Sequence, residues 1–180
     1  MPRGFAIFGT AIGSCGIAWS DAGVTVVQLP ETTVERTRAR LRRRSRGAAE
    51  LPPPPAITRA IRDIVALLSG APTNLSDIAL DVDGLPAFDL EVYTIARGIA
   101  PGHMRTYGEI AAAIGAPDAA RAVGRALARN PFPLIVPCHR VLAANGKPGG
   151  FSADGGVTTK LRLLAIERAL PAEGRLWEGG

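Results

Sequence analysis

The chain has 180 residues, 47% of them hydrophobic and 21% charged, with a net charge of +5. That is enough for one ordinary domain or two small ones, with the composition of a soluble globular protein and a basic balance compatible with nucleic acid. Two cysteines and two histidines without paired Cys-x-x-Cys or His-x-x-x-His spacing exclude a disulfide scaffold and argue against a zinc site; no run of about 20 apolar residues exists to span a membrane.

Phe5 to Ile12 is apolar. Ile12-Gly13-Ser14-Cys15 has the outline of a lipoprotein cleavage box, but the run is short, broken by Gly9 and preceded by one Arg. It reads as a buried first strand, with Cys15 a buried strand residue. Gly16 to Trp19 and Val24 to Leu29 flank Ser20-Asp21-Ala22-Gly23, the punctuation of a hairpin. Thr33 to Arg44 is arginine-rich and helix-compatible. The run Arg36 to Arg46 supplies much of the positive charge, and a solvated face explains it as well as a DNA contact does. Glu50 to Pro55 carries four successive prolines and reads as an extended connector, neither helical nor central in a sheet.

Ile57, Ile61, Ile64, Val65 and Leu68 recur at helical spacing before a stop at Gly70. Ile78, Leu80 and Val82 alternate with Ala79, Asp81 and Asp83, which predicts a third strand with one wet face. From Phe88 onward the pattern is mainly helical. Phe88, Val92 and Ile95 predict a helix face ending near Gly98, and Ile99 to Gly102 a turn. Thr106 with Glu109 predicts a capping box opening a helix to Ile114. Gly115-Ala116-Pro117 breaks it, and Asp118 is the expected cap of a second helix reaching Arg129. Two short helices around a tight turn form a helix-turn-helix pattern. Arg121, Arg125 and Arg129 lie along one face of the second helix, either a solvated stripe or a face docked on phosphates. Its small residues, Ala122 and Gly124 among them, permit close approach to another surface.

Asn130-Pro131-Phe132-Pro133-Leu134-Ile135-Val136-Pro137-Cys138-His139-Arg140-Val141 is the most informative stretch. Prolines bracket an apolar run and then present a thiol. A deprotonated thiol is a strong nucleophile, and a neighbouring imidazole can take its proton. A Cys-His dipeptide alone leaves the competing reading, a small buried core cysteine, ahead.

Pro137-Cys138-His139-Arg140-Val141 resembles the signature of the O6-alkylguanine-DNA alkyltransferases, also called methylated-DNA–protein-cysteine methyltransferases. The resemblance extends to Thr106-Tyr107-Gly108-Glu109-Ile110-Ala111, Arg121-Ala122-Val123-Gly124, Asn130-Pro131, Gly149-Gly150-Phe151-Ser152, Lys160 and Leu163-Leu164 followed by Glu167. It covers roughly residues 88 to 168, and an ordered set of this kind is far more specific than one motif. It implies an α/β fold: a small N-terminal α/β domain (1–86) with a short antiparallel sheet plus helix, a mainly helical catalytic and DNA-binding domain (87–170), and a tail (171–180).

The implied function is direct reversal of DNA damage. An alkyl group leaves O6 of guanine for Cys138 in one irreversible displacement, without cofactor or metal, so each molecule turns over once. By the same resemblance His139 takes the thiol proton through a water, Glu167 orients the imidazole, and Tyr107 donates a proton to the leaving guanine. Ser152 is expected to approach O6 through its backbone. The carbonyls of Cys138 and Val141 are expected to accept the guanine amino group, Phe151 to wall the pocket, and Asn130 to join the second helix to the active-site loop. The base must be extruded from the stack. Arg121 is the expected finger that fills the gap, on a helix entering the minor groove with Thr106, Ala122 and Gly124 close to DNA. Arg125 and Arg129 are added as phosphate contacts from their spacing.

The implied partner is double-stranded DNA containing O6-alkylguanine and the implied location the cytoplasm, on the nucleoid in a bacterium. Clustering of copies on DNA is left open by the Arg36 to Arg46 run. Phe151 stands where some relatives have Tyr, and Ser152 to Gly156 is slightly longer than the shortest versions of that loop. Of the rival readings, a nucleophile-free damage binder would lack Cys138. A helix-turn-helix transcription factor would need a recognition helix richer in base-reading side chains. A cysteine hydrolase would need an oxyanion-hole loop, of which nothing before Cys138 gives a sign.

Overall fold

The computed structural model describes residues 3–169, and the expected tail at 171–180 lies outside the described residues. The chain divides into two compact units. The first runs to Gly84 and takes in Pro131–Ile135; the second comprises Leu85–Asn130 and resumes at Val136. A single cut near residue 86 therefore leaves one short segment on the wrong side, because the proline-bracketed run belongs to the first unit.

The first unit is a sheet with helices. Strands β1 (Gly4–Thr10), β2 (Gly13–Trp19), β3 (Val24–Gln28) and β4 (Ala49–Glu50) lie in the order β3-β2-β1-β4. β1 and β2 pair antiparallel from Gly4↔Trp19 to Thr10↔Gly13, as do β2 and β3, whereas β4 runs parallel to β1. The hairpin at residues 20–23 is where the sequence puts it. Gly23 has φ +143°, and a Cβ there would strike the backbone of Ala79, so only glycine makes this turn.

Helix α1 (Val34–Arg44) is capped by Thr33, whose hydroxyl accepts from the Arg36 N–H. It buries Leu41 against Phe5, Ala18 and Val26. Most of its arginines are engaged within the unit. Arg38 pairs with Glu50 and Arg40 with Glu31, Arg44 donates to the Val27 carbonyl and Gln28, and Arg42 lies over the Phe5 ring.

Helix α2 (Pro55–Leu68) begins inside the proline run that the sequence reading excluded from helix. Pro55 occupies the first helical position, where no intrahelical N–H bond is lost. The third strand expected at Ile78 to Val82 is not formed: Leu80 makes an isolated bridge to Val24, and Val82 is 41% exposed. Pairing stops because Asp81 turns its carboxylate to the Ser20 hydroxyl and the Asp83 N–H. Pro131–Ile135 completes the unit. Pro131 accepts from the Val27 N–H, and Phe132, Leu134 and Ile135 are buried.

The second unit is mainly helical: α3 (Ala87–Arg97), α4 (Tyr107–Ala113), α5 (Ala120–Ala128) and α6 (Gly156–Ile166), with a two-stranded parallel pair, β5 (Arg105–Thr106) and β6 (Val141–Leu142). α3 buries Asp89, Val92, Tyr93 and Ala96 rather than Phe88 and Ile95, which are only half-buried. The Thr106–Glu109 capping box is present with both bonds. Asp118 does not cap α5: the cap position is Ala119, without a side-chain bond. Among the described residues no helix is long and apolar enough to cross a membrane.

Candidate active site

Local backbone chemistry presents Cys138. Pro137 sits at φ −80°, ψ 67°, and the Cys138 N–H returns to the Val136 carbonyl at 2.8 Å, an inverse γ-turn that proline's fixed φ favours. A single 3₁₀ turn, Cys138–Arg140, follows and feeds β6. Because β6 pairs with β5 in the register Arg105↔Val141 and Thr106↔Leu142, the start of α4 is brought beside the thiol's loop. Tyr107 and Cys138 thus line one pocket of about 770 Å³.

Gly108, Gly150, Phe151 and Ser152 also line it, together with Arg121, Gly124 and Arg125 from α5. The wall is therefore built from the helix-turn-helix and the loop after β6. Gly149 holds φ +67°, and a Cβ there would lie 2.8 Å from the Tyr107 hydroxyl, so glycine lets the loop close on the phenol.

Asn130 follows α5 directly. Its Nδ2 donates to the Val136 carbonyl at 2.9 Å, and its side chain also hydrogen-bonds Cys138. Burial pushes the Cys138 thiol up, while Asn130 and the charge of Lys160 pull it down; the net direction is up. At rest the sulfur is a thiol that needs a base.

That base is adjacent. His139 and Glu167 are 1% and 3% exposed, with Nε2 and Oε1 2.8 Å apart. Burial alone would raise the Glu167 carboxyl, but hydrogen bonds from Arg140 and His139 hold it down at about 2. An ionised carboxylate only accepts, so Nε2 carries the hydrogen and Nδ1 holds the lone pair. Nδ1 is buried and has no hydrogen-bond partner among the described residues. Burial pushes the imidazole down against the pull of Glu167, leaving it neutral.

Lys160 is fully buried on α6. Its Nζ donates to the Val141 carbonyl at 2.6 Å and lies 5.7 Å from the Tyr107 ring centroid. Burial lowers its ammonium to about 8, opposed by Cys138. Burial also raises the Tyr107 phenol, with Cys138 adding to the effect, so the phenol keeps its proton at neutral pH.

Of the residues singled out from sequence, Cys138, Tyr107, Phe151, Ser152, Arg121, Gly124 and Arg125 meet at the pocket. His139, Glu167 and Asn130 form the buried support. Val141 presents a carbonyl that already accepts from Lys160, with a second lone pair left. Thr106 spends its hydroxyl on the capping box, and Ala122 is half-buried on α5. Arg129 departs from the expected stripe: its Nε and Nη2 bind Asp89, so its guanidinium is anchored to α3.

Sequence reasoning did not give Lys160 or Arg140 a role. For Lys160 a signal existed, since a lysine three and four residues before the buried Leu163 and Leu164 falls on an apolar helix face. Asp89 shows the same signal on α3. Arg140 offered none beyond its place in the motif. Among the described residues no group of three or more His, Cys, Asp or Glu could hold a metal ion.

Residues 87–169 match the family described as 6-O-methylguanine DNA methyltransferase, DNA binding domain. The chain is 40% identical over 157 residues to a methylated-DNA–protein-cysteine methyltransferase of Mycolicibacterium paratuberculosis, covering 87% of each chain. It is 35% identical over 152 residues to one from Methanothermobacter thermautotrophicus, covering 84% of this chain and 78% of the other. Among solved structures it is similar to Mycobacterium tuberculosis OGT in complex with DNA. There the TM-score is 0.74 at 35% identity, over 93% of this chain and 95% of the other.

Proposed function

The chain belongs to the family of methylated-DNA–protein-cysteine methyltransferases, and from that membership we propose that it repairs DNA by direct reversal, Cys138 taking the alkyl group from O6 of guanine. The observation that carries this reading to the residues is a pocket-lining thiol followed in the chain by an imidazole whose Nε2 is held by an ionised Glu167 and whose Nδ1 bonds none of the described residues.

The damaged base is extruded from the duplex into the pocket, at a cost of a few kcal/mol. Arg121, exposed on α5 at the pocket wall, fills the vacated place in the stack. The small residues Ala122 and Gly124 let the helix lie close in the minor groove. Arg125 contacts a phosphate; Arg129, engaged by Asp89, does not. The Val141 carbonyl accepts the guanine amino group with its second lone pair, and Ser152 meets O6 through its backbone.

Nδ1 of His139 takes the Cys138 proton through a water, and the thiolate attacks the alkyl carbon in line. The S–C bond forms as the C–O6 bond breaks, and its electrons remain on the guanine ring. Tyr107 gives that ring its proton and recovers one from the imidazolium through solvent, so the thiol's proton ends on guanine. The product thioether is inert, and each molecule reacts once. Phe151 supplies an aromatic wall without the hydroxyl of a tyrosine.

Catalysis and DNA binding thus belong to residues 87–170, downstream of the α/β domain of residues 1–86. With DNA as substrate the protein works in the cytoplasm, on the nucleoid in a bacterial host. The reaction is tested by digesting an O6-methylguanine duplex after incubation with increasing protein. The lesion should fall mole for mole with protein and then stop. Continued loss at substoichiometric protein would defeat the single-turnover reading, and no loss at all would defeat the repair reading.

A further inference from the structure

Arg140 has no place in the displacement just described, yet its guanidinium makes three hydrogen bonds. It is 4% exposed. Its Nε donates to Glu167 Oε2 at 2.8 Å, its Nη2 to Oε1 at 2.7 Å and its Nη1 to the Ile99 carbonyl at 2.6 Å. Oε1 therefore accepts from Arg140 and from His139 Nε2 together.

Glu167 caps the C-terminal end of α6, where the helix dipole disfavours a negative charge. A carboxylate buried there with only an imidazole for company would recover its lost solvation by drawing a proton onto that imidazole. We infer that Arg140 is a positioning residue that cancels the charge of Glu167 and so keeps His139 neutral until Cys138 gives up its proton; the inference rests on the alkyl-transfer reading.

The charge count supports it. Glu167 and Arg140 sum to zero, so a protonated His139 would leave a net positive charge in a buried site. The other groups facing this site are Lys160 from α6, Tyr107 from α4, Tyr93 from α3 and Cys138 itself. Arg140 and Lys160 both act against an imidazolium. The tyrosines are uncharged at neutral pH, and Asn130 is neutral. A Cys138 thiolate offsets the imidazolium, so the S–H bond breaks as the Nδ1–H bond forms and the net charge of the site, set by the Lys160 ammonium, does not change. A free base is thus ready at rest, and it becomes an acid only when the sulfur needs it to be one.

Two measurements decide this. The first is the imidazole state of His139 in the unaltered protein by nitrogen-15 NMR, titrated down to about pH 6, below the ordinary histidine value of about 6.5. A neutral ring with the hydrogen on Nε2 is expected; an imidazolium at that pH would overturn the inference, and this test needs no variant to fold. The second is the pH dependence of methyl transfer in Arg140→Met and Arg140→Lys. In the Met variant the acid limb should move up by about one pH unit or more, and in the Lys variant it should stay near its original position. A Met variant that is slower or less stable but keeps the original limb would overturn the inference. Should the unaltered protein transfer no methyl at any pH, the alkyl-transfer reading fails, and the same NMR titration of Arg140→Met decides whether Arg140 keeps His139 neutral: an imidazolium at a higher pH than in the unaltered protein is expected, and an unchanged titration would overturn the inference.

Discussion

Arg129 grips Asp89 with two hydrogen bonds, 2.6 Å from Nε to Oδ2 and 2.5 Å from Nη2 to Oδ1, and joins the end of α5 to the first turn of α3. Asp89 is 1% exposed, whereas Arg129 is 53% exposed. The pair separates two arginines that look alike in sequence. Arg129→Ala should leave a buried carboxylate without its cation and lower Tm by several degrees, without changing the salt dependence of DNA binding. Arg125→Ala should leave Tm alone and reduce the slope of log K against log salt by about 1. Thermal melts and binding titrations at several salt concentrations check both.

Arg121 carries the extrusion step in the proposed mechanism, so its loss matters only where a base must leave a stack. Arg121→Ala should slow transfer from an O6-methylguanine duplex by at least about tenfold relative to transfer from free O6-alkylguanine, reflecting a flipping cost of a few kcal/mol. Equal losses on the two substrates would remove the finger role.

Gly149 and Gly150 are neighbours with opposite tolerances. A Cβ at Gly149 meets the Tyr107 hydroxyl at 2.8 Å and is strained by φ +67°, whereas a Cβ at Gly150 meets nothing within 4 Å. Gly149→Ala should displace the phenol and lower the transfer rate, at a cost to stability of roughly 1 kcal/mol. Gly150→Ala should leave Tyr107 in place. Single-turnover rates and Tm for the two variants test this, and equal rates would separate Gly149 from the phenol's position.

Glu167 makes the fold acid-sensitive in a defined window. Its folded carboxyl is held at about 2, below the ordinary glutamate value of about 4.3. A depressed carboxyl contributes stability that is fully present above the unfolded value and is lost as pH falls through the folded one. The loss should begin near about pH 4 and reach roughly 3 kcal/mol near about pH 2. Glu167→Gln should be less stable at neutral pH, because Arg140 is left buried without its partner, yet flatter across that window. Denaturant titrations at stepped pH measure both.

Much of the fold was legible because local signals and tertiary structure agree. The Ser20–Gly23 hairpin, the capping box of Thr106 and Glu109, and the helix stops near Gly70 and Gly98 all form. Failures came where tertiary partners overrode a local pattern. The alternation at Ile78 to Val82 reads as a strand, but Asp81 is taken by Ser20 and pairing ends after one bridge. Asp118 has the chemistry of a cap, but the helix begins one residue beyond its reach, after Ala119. The nucleophile and its base were visible as a motif. Arg140 was not, and Lys160 showed only as a lysine on an apolar helix face, because their roles depend on carbonyls and carboxylates distant in sequence, Ile99, Val141 and Glu167.

The central claim is that Cys138 itself becomes alkylated. Intact mass after incubation with an O6-methylguanine duplex, with Cys138→Ala in parallel, measures this directly. The account predicts a gain of one methyl group on the unaltered protein alone, mapped to the peptide containing Cys138. An unaltered protein that binds the damaged duplex tightly yet gains no mass would contradict it and make the chain a damage-sensing binder instead.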